Sequence, residues 1–210
     1  MIKILIADDH AIVRAGLKQI LEDTSDLTVA GEAASGREVF ELIRQEEFDI
    51  LVLDISLPGK SGLEVLKDVK SEHPALPVLV LSIYPEEQYA VRVLKAGAAG
   101  YVTKESAPAE LVAAIRKVAR GGKYITASLA ESLADNLEQD LSQPLHHRLS
   151  DREYTVLCLL ASGKTVTEIA ADLCLSPKTI STYRARILEK MHLRTNAELI
   201  HYAMQHGLVD

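Results

Sequence analysis

Short apolar runs alternate with residues at helical spacing along the first ~120 positions of the chain. The runs predict five β-strands, over Ile2–Ala7, Thr28–Ala33, Ile50–Leu53, Val78–Leu81 and Gly100–Thr103. Each strand is followed by an amphipathic stretch that predicts a helix. The first stretch has apolar residues at Ile12, Val13, Leu17, Ile20 and Leu21. The other four lie near Arg37–Gln45, Gly62–Ser71, Glu86–Ala96 and Pro108–Arg120. This alternation is typical of a parallel sheet covered on both faces, and right-handed crossovers make the sheet doubly wound.

The remainder of the chain has a different pattern, wholly helical from about Leu149 onward. Gly121 and Gly122 end the last helix of the alternating region. A short amphipathic linker helix is expected over 127–137, and a polar stretch over 138–144 ends in proline. We therefore predict a first domain over 1–121, a linker with a short helix over 122–146, and a second domain over 147–210.

Capping patterns divide the second domain into four predicted helices. Their starts are marked by Ser150, by Thr165 or Val166, by Ser176-Pro177, and by Thr195 or Asn196. Ser150 and Glu153 have the spacing of a capping box, and Ser176 precedes a proline at the first helical position. The second and third helices are short and are joined by a tight turn, and the third is capped at its N-terminus and basic. This arrangement predicts a helix-turn-helix.

The charge of the chain is distributed unevenly between the two predicted domains. The net charge is −7, with 23 basic and 30 acidic residues. From Leu145 onward there are 8 basic and 7 acidic residues, so the other 15 basic and 23 acidic residues precede that point. This asymmetry indicates two domains with different tasks, although the balance of the second domain is by itself weak support for nucleic-acid binding.

Composition also excludes several classes of protein. The chain is 48% hydrophobic and 25% charged, which is ordinary for a globular protein. No apolar run approaches the ~20 residues that span a bilayer, and the chain begins directly with a strand-like segment. We therefore expect a cytoplasmic protein without a membrane partner. The two cysteines, Cys158 and Cys174, stand apart from any Cys/His cluster and favour neither a zinc site nor a disulfide scaffold.

Polar residues end four of the predicted strands. In a parallel sheet, binding and active sites lie at the carboxyl ends of the strands. The polar residues are Asp8 and Asp9, Asp54, Ser82, and Thr103 with Lys104. Three neighbouring carboxylates repel one another unless a hard cation such as Mg²⁺ neutralises them. A carboxylate can attack a phosphoryl group, and a lysine, a metal and a hydroxyl can stabilise the transferred oxygens. Each residue alone fits a turn, a cap or a solvated surface, whereas the set together predicts a phosphate-handling pocket.

The segments around these residues resemble the receiver domain of two-component response regulators. They are Ile6-Ala7-Asp8-Asp9-His10, Leu53-Asp54-Ile55-Ser56-Leu57-Pro58-Gly59, Leu81-Ser82 and Gly100-Tyr101-Val102-Thr103-Lys104. The resemblance covers about residues 1–120 and implies a flavodoxin-like (βα)5 fold. It implies Asp54 as the phosphoacceptor. It also implies an Mg²⁺ site formed by Asp8, Asp9, Asp54 and the backbone carbonyl of Ser56, with Asp9 favoured as a direct ligand.

The same resemblance assigns roles to three further residues. Ser82 and Lys104 would contact the phosphoryl group. Tyr101 would change rotamer when the Ser82 hydroxyl moves toward the phosphate. On its pattern alone, Tyr101 is a half-buried strand aromatic. Ser56 and Tyr84 stand at positions that vary in the family and are expected to tune the lifetime of the phosphoryl group.

The third helix of the second domain is expected to turn Ile180 and Ile187 inward and its polar side outward. A basic helix face alone favours a small bundle that contacts proteins. However, residues 149–208 resemble the four-helix DNA-binding domain of the LuxR/NarL/FixJ group. The resemblance rests on Leu149-Ser150-Asp151-Arg152-Glu153, Val166-Thr167-Glu168-Ile169-Ala170, Leu175-Ser176-Pro177-Lys178-Thr179-Ile180 and Lys190-Met191. It implies an all-α helix-turn-helix that places its third helix in the major groove of double-stranded DNA.

The DNA-contacting residues that follow from this resemblance are Lys178, Thr179, Ser181, Thr182, Tyr183, Arg184 and Arg186. Short polar side chains would meet base edges and basic ones the phosphates. The group often has histidine where Tyr183 stands. The expected function is a response regulator transcription factor: a sensor histidine kinase phosphorylates Asp54, and phosphorylation controls homodimer formation and DNA binding.

Two alternatives to this function remain open. The first is an enzyme such as an Mg²⁺-dependent phosphatase that uses Asp54. Ser56 stands where one such family has a second aspartate, and the chain lacks a P-loop. We therefore expect no enzyme activity beyond slow autodephosphorylation. The second alternative is a regulator that binds DNA without phosphorylation or acts through a partner protein.

Overall fold

The computed structural model describes residues 1–84, 86–106, 108–126, 129–130 and 144–209. The chain divides into two compact units, Met1–Ala130 and Glu131–Asp210. In the described part of the first unit, strands β1 to β5 span Ile2–Ala7, Leu27–Ala33, Ile50–Asp54, Val78–Ser82 and Gly100–Thr103. Helices α1 to α5 span Ala11–Glu22, Gly36–Gln45, Gly62–Glu72, Glu86–Lys95 and Pro108–Ala119. The predicted elements are confirmed, with ends that differ by one residue.

The five strands form one parallel sheet in the order β2-β1-β3-β4-β5. Strands β3 and β4 are buried at every position, which explains why both have continuous apolar sequences. Helices α1 and α5 pack their apolar sides against the sheet in one buried cluster. The flavodoxin-like α/β fold predicted from the sequence is therefore confirmed.

The loop between β3 and α3 is shaped by close backbone packing. The amide of Gly62 donates a hydrogen bond of 2.9 Å to the carbonyl of Ile55. A Cβ atom at Gly62 would overlap the carbonyl oxygen of Asp54 and come within 2.6 Å of the Ile55 Cα atom. Ser61 and Glu64 close a capping box at the start of α3. The end of β3 is thus held in one position by glycine and by a helix cap.

The chain beyond α5 continues to contact the first unit. The amide of Tyr124 donates to the carbonyl of Ala99, 2.8 Å away, next to β5. The Thr126 hydroxyl donates to the Glu86 carboxylate at the start of α4, 2.6 Å away. The linker helix expected over 127–137 lies outside the described residues, except for Leu129 and Ala130, which are helical.

The described part of the second unit contains a short 3₁₀ turn over Leu145–Arg148 and four α-helices. These are α6 over Asp151–Ala161, α7 over Val166–Asp172, α8 over Pro177–Lys190 and α9 over Asn196–Gln205. Each begins after a Ser or Thr whose hydroxyl accepts a backbone N–H bond, at Ser150, Thr165, Ser176 and Thr195. The four-helix prediction is confirmed. Among the described residues, we find no helix long and apolar enough to cross a membrane.

Candidate functional site

Two buried carboxylates and one lysine form the centre of the site at the carboxyl edge of the sheet. Asp8 follows β1 and Asp54 ends β3, the strand paired with β1. Their side chains are 2% and 1% exposed. The Lys104 ammonium lies 2.6 Å from the Asp8 carboxylate and 2.8 Å from that of Asp54. Three residues that the sequence placed at different strand ends therefore meet at one point.

The protonation of this centre follows from its burial. Burial raises the pKa of Asp54, and neighbouring Asp8 adds to the rise, while Lys104 opposes it without cancelling it. Burial by itself would lower the pKa of Lys104, but the two carboxylates outweigh that effect, and the pKa lies above its ordinary value. Lys104 therefore stays charged, and one ammonium faces two buried carboxylates.

Asp9 and His10 extend the acidic centre toward solvent. The His10 Nδ1 atom lies 2.8 Å from a carboxylate oxygen of Asp9 and 3.3 Å from one of Asp8. Asp8, Asp9, His10 and Asp54 each offer a ligand atom, and these atoms all lie within 4.8 Å of one another. Within the described ranges, this is the one group of three or more such residues placed to hold a metal ion.

The donor set of this acidic pocket fits Mg²⁺, which takes carboxylate oxygens together with waters and phosphate oxygens. Three carboxylates against one lysine leave an excess of negative charge that a divalent cation would offset. Asp54 is further oriented by the backbone amide of Ser56, which donates to its other carboxylate oxygen across 3.1 Å. The role expected for the Ser56 carbonyl stays a prediction.

Ser82 and Tyr101 are connected through the backbone of Tyr84. The buried Ser82 hydroxyl accepts a hydrogen bond of 3.1 Å from the Tyr84 amide. The Tyr101 hydroxyl donates to the Tyr84 carbonyl, 2.7 Å away. Tyr101 is 1% exposed, so the half-buried position expected from its strand pattern is wrong. Burial raises the pKa of Tyr101, which keeps its hydroxyl protonated as a donor.

A groove on the second unit brings together most of the residues expected to contact DNA. It is lined by Ser176, Lys178, Thr179, Thr182, Tyr183 and Arg186. Ile180 and Ile187 are fully buried on the opposite side of α8, as the helical spacing predicts. Ser181 is exposed outside this groove, and its hydroxyl donates to the carbonyl of Pro177. The exposed side of α8 therefore carries hydroxyl groups between two cations.

Arg184 has a different environment from the other predicted contacts. Its Nε atom donates to the side-chain oxygen of Asn196, 2.6 Å away, and so ties α8 to the start of α9. Glu153, 3% exposed, accepts a bond of 2.6 Å from Lys190 at the end of α8. Burial alone would raise the pKa of Glu153, but Lys190 and the Ser150 cap bring it below its ordinary value. These contacts fix the direction of α8.

Sequence reasoning missed two residues that touch the acidic pocket. The motif around Asp8 and Asp9 contains His10 without giving it a role, and Arg14 belongs to no motif. A guanidinium nitrogen of Arg14 donates to the backbone carbonyl of Asp8 across 2.6 Å. Their spacing from Asp8 along the start of α1 is the one feature of the sequence that could have indicated them.

Comparison with known proteins agrees with this geometry. Residues 4–116 match the family of response regulator receiver domains, and residues 147–203 match bacterial regulatory proteins of the luxR family. Response regulator UvrY of Escherichia coli (strain K12) is 37% identical over 211 residues, covering 100% of this chain and 97% of UvrY. Response regulator GacA of Pseudomonas aeruginosa is 38% identical over 215 residues, covering 100% and 99%.

Solved structures of another response regulator, RcsB, are also similar. RcsB from Salmonella enterica serovar Typhimurium, bound to promoter rprA with the phosphomimetic BeF3⁻, has a TM-score of 0.65 and 28% identity over 97% of this chain and 99% of that one. An RcsB–DNA complex has a TM-score of 0.60 and 29% identity over 100% and 99%. Because both families are matched in succession and the relatives align over the whole chain, this chain belongs to the two-component response regulators with a LuxR-type helix-turn-helix domain.

Proposed function

We propose that this chain is a transcription factor whose DNA binding is controlled by phosphoryl transfer from a sensor histidine kinase to Asp54. The observation that carries the proposal is the position of Asp54, buried beside Asp8 and Lys104 at the carboxyl edge of the sheet. A nucleophile, a cation for the transferred oxygens and a carboxylate set for Mg²⁺ meet there. These are the parts that phosphoryl transfer to a carboxylate needs.

Each side chain of the pocket has a separate role in phosphoryl transfer. A carboxylate oxygen of Asp54 attacks phosphorus, the P–N bond of the phosphohistidine breaks, and its electron pair returns to the imidazole. A bound Mg²⁺ would supply positive charge against the phosphoryl oxygens. Lys104 lies 2.8 Å from Asp54. Its ammonium can exchange the ion pair with the Asp54 carboxylate for one with the new phosphoryl group. The Ser56 amide holds the other Asp54 oxygen in place during the attack.

The response to phosphorylation begins at Ser82. The added oxygens are strong acceptors and attract the Ser82 hydroxyl, which in the present structure accepts from the Tyr84 amide. Moving that hydroxyl frees the Tyr84 backbone, whose carbonyl also holds Tyr101. Tyr101 then repacks between β5 and α4, and this face controls self-association of the chain.

DNA binding is assigned to α8 and the groove along it. RcsB, aligned over almost the whole chain, has been solved with promoter DNA. In this chain Lys178 and Arg186 are exposed on the same side of α8 as Thr182. Cations at that spacing suit the phosphates, and the hydroxyl between them suits a base edge. A dimer would read two half-sites about one helical turn apart.

We further propose that the chain accepts a phosphoryl group and is not an enzyme that turns over external substrates. A phosphatase that uses an aspartyl nucleophile needs a group that activates the hydrolytic water. Ser56, two residues after Asp54, has neither a carboxylate nor an imidazole for that task. Slow autodephosphorylation is the expected limit.

Intact-mass measurement tests the phosphoacceptor first. The native chain and an Asp54→Asn variant are incubated with Mg²⁺ and a small-molecule phosphodonor. We expect one phosphoryl adduct on the native chain and none on the variant. An adduct of equal yield on both chains would overturn the assignment of Asp54, and steady turnover of a phosphate monoester by the native chain would revive the phosphatase.

DNA binding is then compared on duplexes selected from a random pool, at several salt concentrations, for the two chains with and without phosphodonor. A gain in affinity confined to the phosphorylated native chain supports the switch. Equal affinity under all conditions would favour the regulator that acts without phosphorylation.

A further inference from the structure

We infer that a hydrogen bond between Glu86 and Thr126 holds the start of the linker helix on the first unit, and that phosphorylation of Asp54 opens this bond. We call the bond the linker latch. The inference rests on the proposed function, because it assumes that phosphorylation moves the backbone of Tyr84. It goes beyond that function by naming the contact through which the first unit controls the chain that leads to the second.

The chain after α5 is anchored at the edge of the sheet. Tyr124 forms an isolated parallel bridge with Gly100 of β5. The Tyr124 hydroxyl also donates to the Glu110 carboxylate on α5 across 3.0 Å. A Cβ atom at Gly100 would lie 2.9 Å from the carbonyl oxygen of Tyr124, so the close approach of the two backbones requires glycine. Tyr124 therefore has partners in β5 and α5, and Thr126 then contacts a third element, α4.

Thr126 makes the hydrogen bonds of a helix N-cap. Its hydroxyl oxygen accepts from the Leu129 amide across 3.2 Å, and its carbonyl accepts from the Ala130 amide across 3.1 Å. Leu129 is 1% exposed, and both residues are helical. A hydroxyl has one proton to donate, and Thr126 donates it to a carboxylate oxygen of Glu86, 2.6 Å away. One hydroxyl group therefore caps the linker helix and binds α4.

Glu86 lies close to the residues of the proposed switch. It is the first residue of α4 and stands two positions after Tyr84. The Tyr84 amide donates to Ser82, and its carbonyl accepts from Tyr101. Burial raises the pKa of Tyr101, and the charge of Glu86 adds to that rise, so the carboxylate acts on the Tyr101 hydroxyl through space. A change at Ser82 can therefore reach the latch along the chain and through Tyr101.

The direction of the effect follows from what phosphorylation changes. The phosphoryl oxygens attract the Ser82 hydroxyl, which removes the bond that this hydroxyl accepts from the Tyr84 amide. Glu86 follows the Tyr84 backbone, and the latch weakens because a hydrogen bond depends steeply on its angle and distance. The Thr126 hydroxyl then rotates, and the helix loses an oriented cap. The linker helix therefore frays at its first turn in the phosphorylated chain.

Hydrogen exchange of the full chain, resolved to the amides of Leu129 and Ala130, tests the latch without phosphorylation. Glu86→Met removes the acceptor. Glu86→Gln is the matched control, because it also lacks the charge but keeps an acceptor oxygen. Exchange at both amides should be roughly 5- to 10-fold faster in Glu86→Met than in the native chain, the effect expected for one helix cap. In Glu86→Gln it should stay within about twofold of native.

A second pair of variants changes the other side of the latch and leaves α4 intact. Thr126→Val removes the hydroxyl with little change in shape, and Thr126→Ser retains it. Thr126→Val should accelerate exchange at least as much as Glu86→Met, and Thr126→Ser should stay close to native. Adding Glu86→Met to Thr126→Val should change exchange by less than about twofold, because the bond is already absent. Exchange across α4 shows whether Glu86→Met disturbs that helix, in which case the Thr126 pair decides.

Phosphorylation is then tested with Mg²⁺ and a small-molecule phosphodonor. The native chain should show the same acceleration at Leu129 and Ala130 once its mass shows one phosphoryl group. The Asp54→Asn chain should show none. Phosphorylation of Glu86→Met should add less than about twofold, because its latch is already open.

The outcomes separate this inference from the proposed function. Equal exchange in both Glu86 variants together with equal exchange in both Thr126 variants, or additive effects of Glu86→Met and Thr126→Val, would overturn the latch. A native chain that carries the phosphoryl group but exchanges as before would overturn its opening by phosphorylation. Failure of the native chain to form the adduct would overturn the proposed function and the opening step, whereas the unphosphorylated variants would still decide whether the latch exists.

Discussion

Replacing Lys104 by methionine tests whether this lysine holds the two buried carboxylates together. The variant keeps the length and the apolar stem of the side chain and removes the ammonium. That ammonium lies 2.6 Å from the Asp8 carboxylate and 2.8 Å from that of Asp54, both nearly inaccessible to solvent. In buffer without divalent cations, Lys104 is the charged group that the described pocket places within 3 Å of both carboxylates.

The size of the effect follows from these distances. At an effective dielectric constant of ~20, each pair of unit charges at ~2.7 Å interacts by about 6 kcal/mol, and desolvation offsets much of this. Removing one partner of a buried charge pair costs about 3–5 kcal/mol. We therefore expect the free energy of unfolding of the first unit to fall by about 4 kcal/mol, a large part of the ~5–15 kcal/mol of a typical domain.

The pH dependence has a definite sign. Burial raises the pKa of Asp54 in the folded state, and removing Lys104 raises it further. A carboxyl group with a raised folded pKa favours folding when protonated, and this advantage is lost as pH rises through that pKa. The deficit of the Lys104→Met variant should therefore be full at neutral pH and should shrink as pH falls through the folded pKa of Asp54.

The assay must follow the first unit separately from the second, and the chain has no tryptophan. Hydrogen exchange across a urea titration, read from peptides of β1 and β3, does this. Lys18→Met is the matched control, since Lys18 makes an exposed ion pair of 3.3 Å with Glu32 that is worth ~0–1 kcal/mol. Adding Asp54→Asn to the Lys104→Met variant should recover at least about half of the deficit. A deficit under about 1 kcal/mol, or one that Asp54→Asn leaves unchanged, would refute the charge argument.

Three further predictions concern other parts of the chain. Gly62→Ala should destabilise the first unit by at least about 2 kcal/mol in the same urea titration, and slow phosphoryl uptake measured by mass, because a Cβ overlaps the Asp54 carbonyl. Lys190 holds the pKa of buried Glu153 below its ordinary value although burial alone would raise it, so its charge stabilises the second unit at neutral pH. Thermal melting should show that stability lost as pH falls through the lowered pKa, and the loss should be smaller in Glu153→Gln. Arg186→Gln should weaken binding to all duplexes alike and lower the slope of log affinity against log salt by about one, in fluorescence anisotropy.

The sequence predicted the strands, the fold and the central residues of the pocket for a physical reason. In a parallel sheet every strand ends at the same edge, so a polar residue directly after an apolar run is expected to lie at that edge. Asp8, Asp54, Ser82 and Lys104 could be assigned in this way. The helix starts of the second unit were equally local, because a capping hydroxyl bonds the backbone three residues away.

Contacts between elements could not be read from the sequence. A strand aromatic such as Tyr101 is expected to be half-buried, yet helix α4 packs against β5 and Tyr101 is 1% exposed. The DNA contact expected for Arg184 stays a prediction, but its bond to Asn196 on α9 is not visible in the sequence. The His10 side chain is 64% exposed, yet its ring lies 2.8 Å from a carboxylate oxygen of Asp9, a contact that the sequence does not predict. In each case the deciding neighbour comes from tertiary packing or from side-chain direction.

The same charges that strain the acidic pocket can supply the energy of the proposed switch. Moving a two-state equilibrium from 1:99 to 99:1 takes about 5.5 kcal/mol. The two ion pairs of Lys104 involve energies of that order, since breaking a buried pair costs about 3–5 kcal/mol. A phosphoryl group on Asp54 would exchange these pairs for others and would compete with the Tyr84 amide for Ser82. Under this proposal the pocket itself would need no large movement, because new partners for one lysine and one hydroxyl would reach Tyr101 through the Tyr84 backbone.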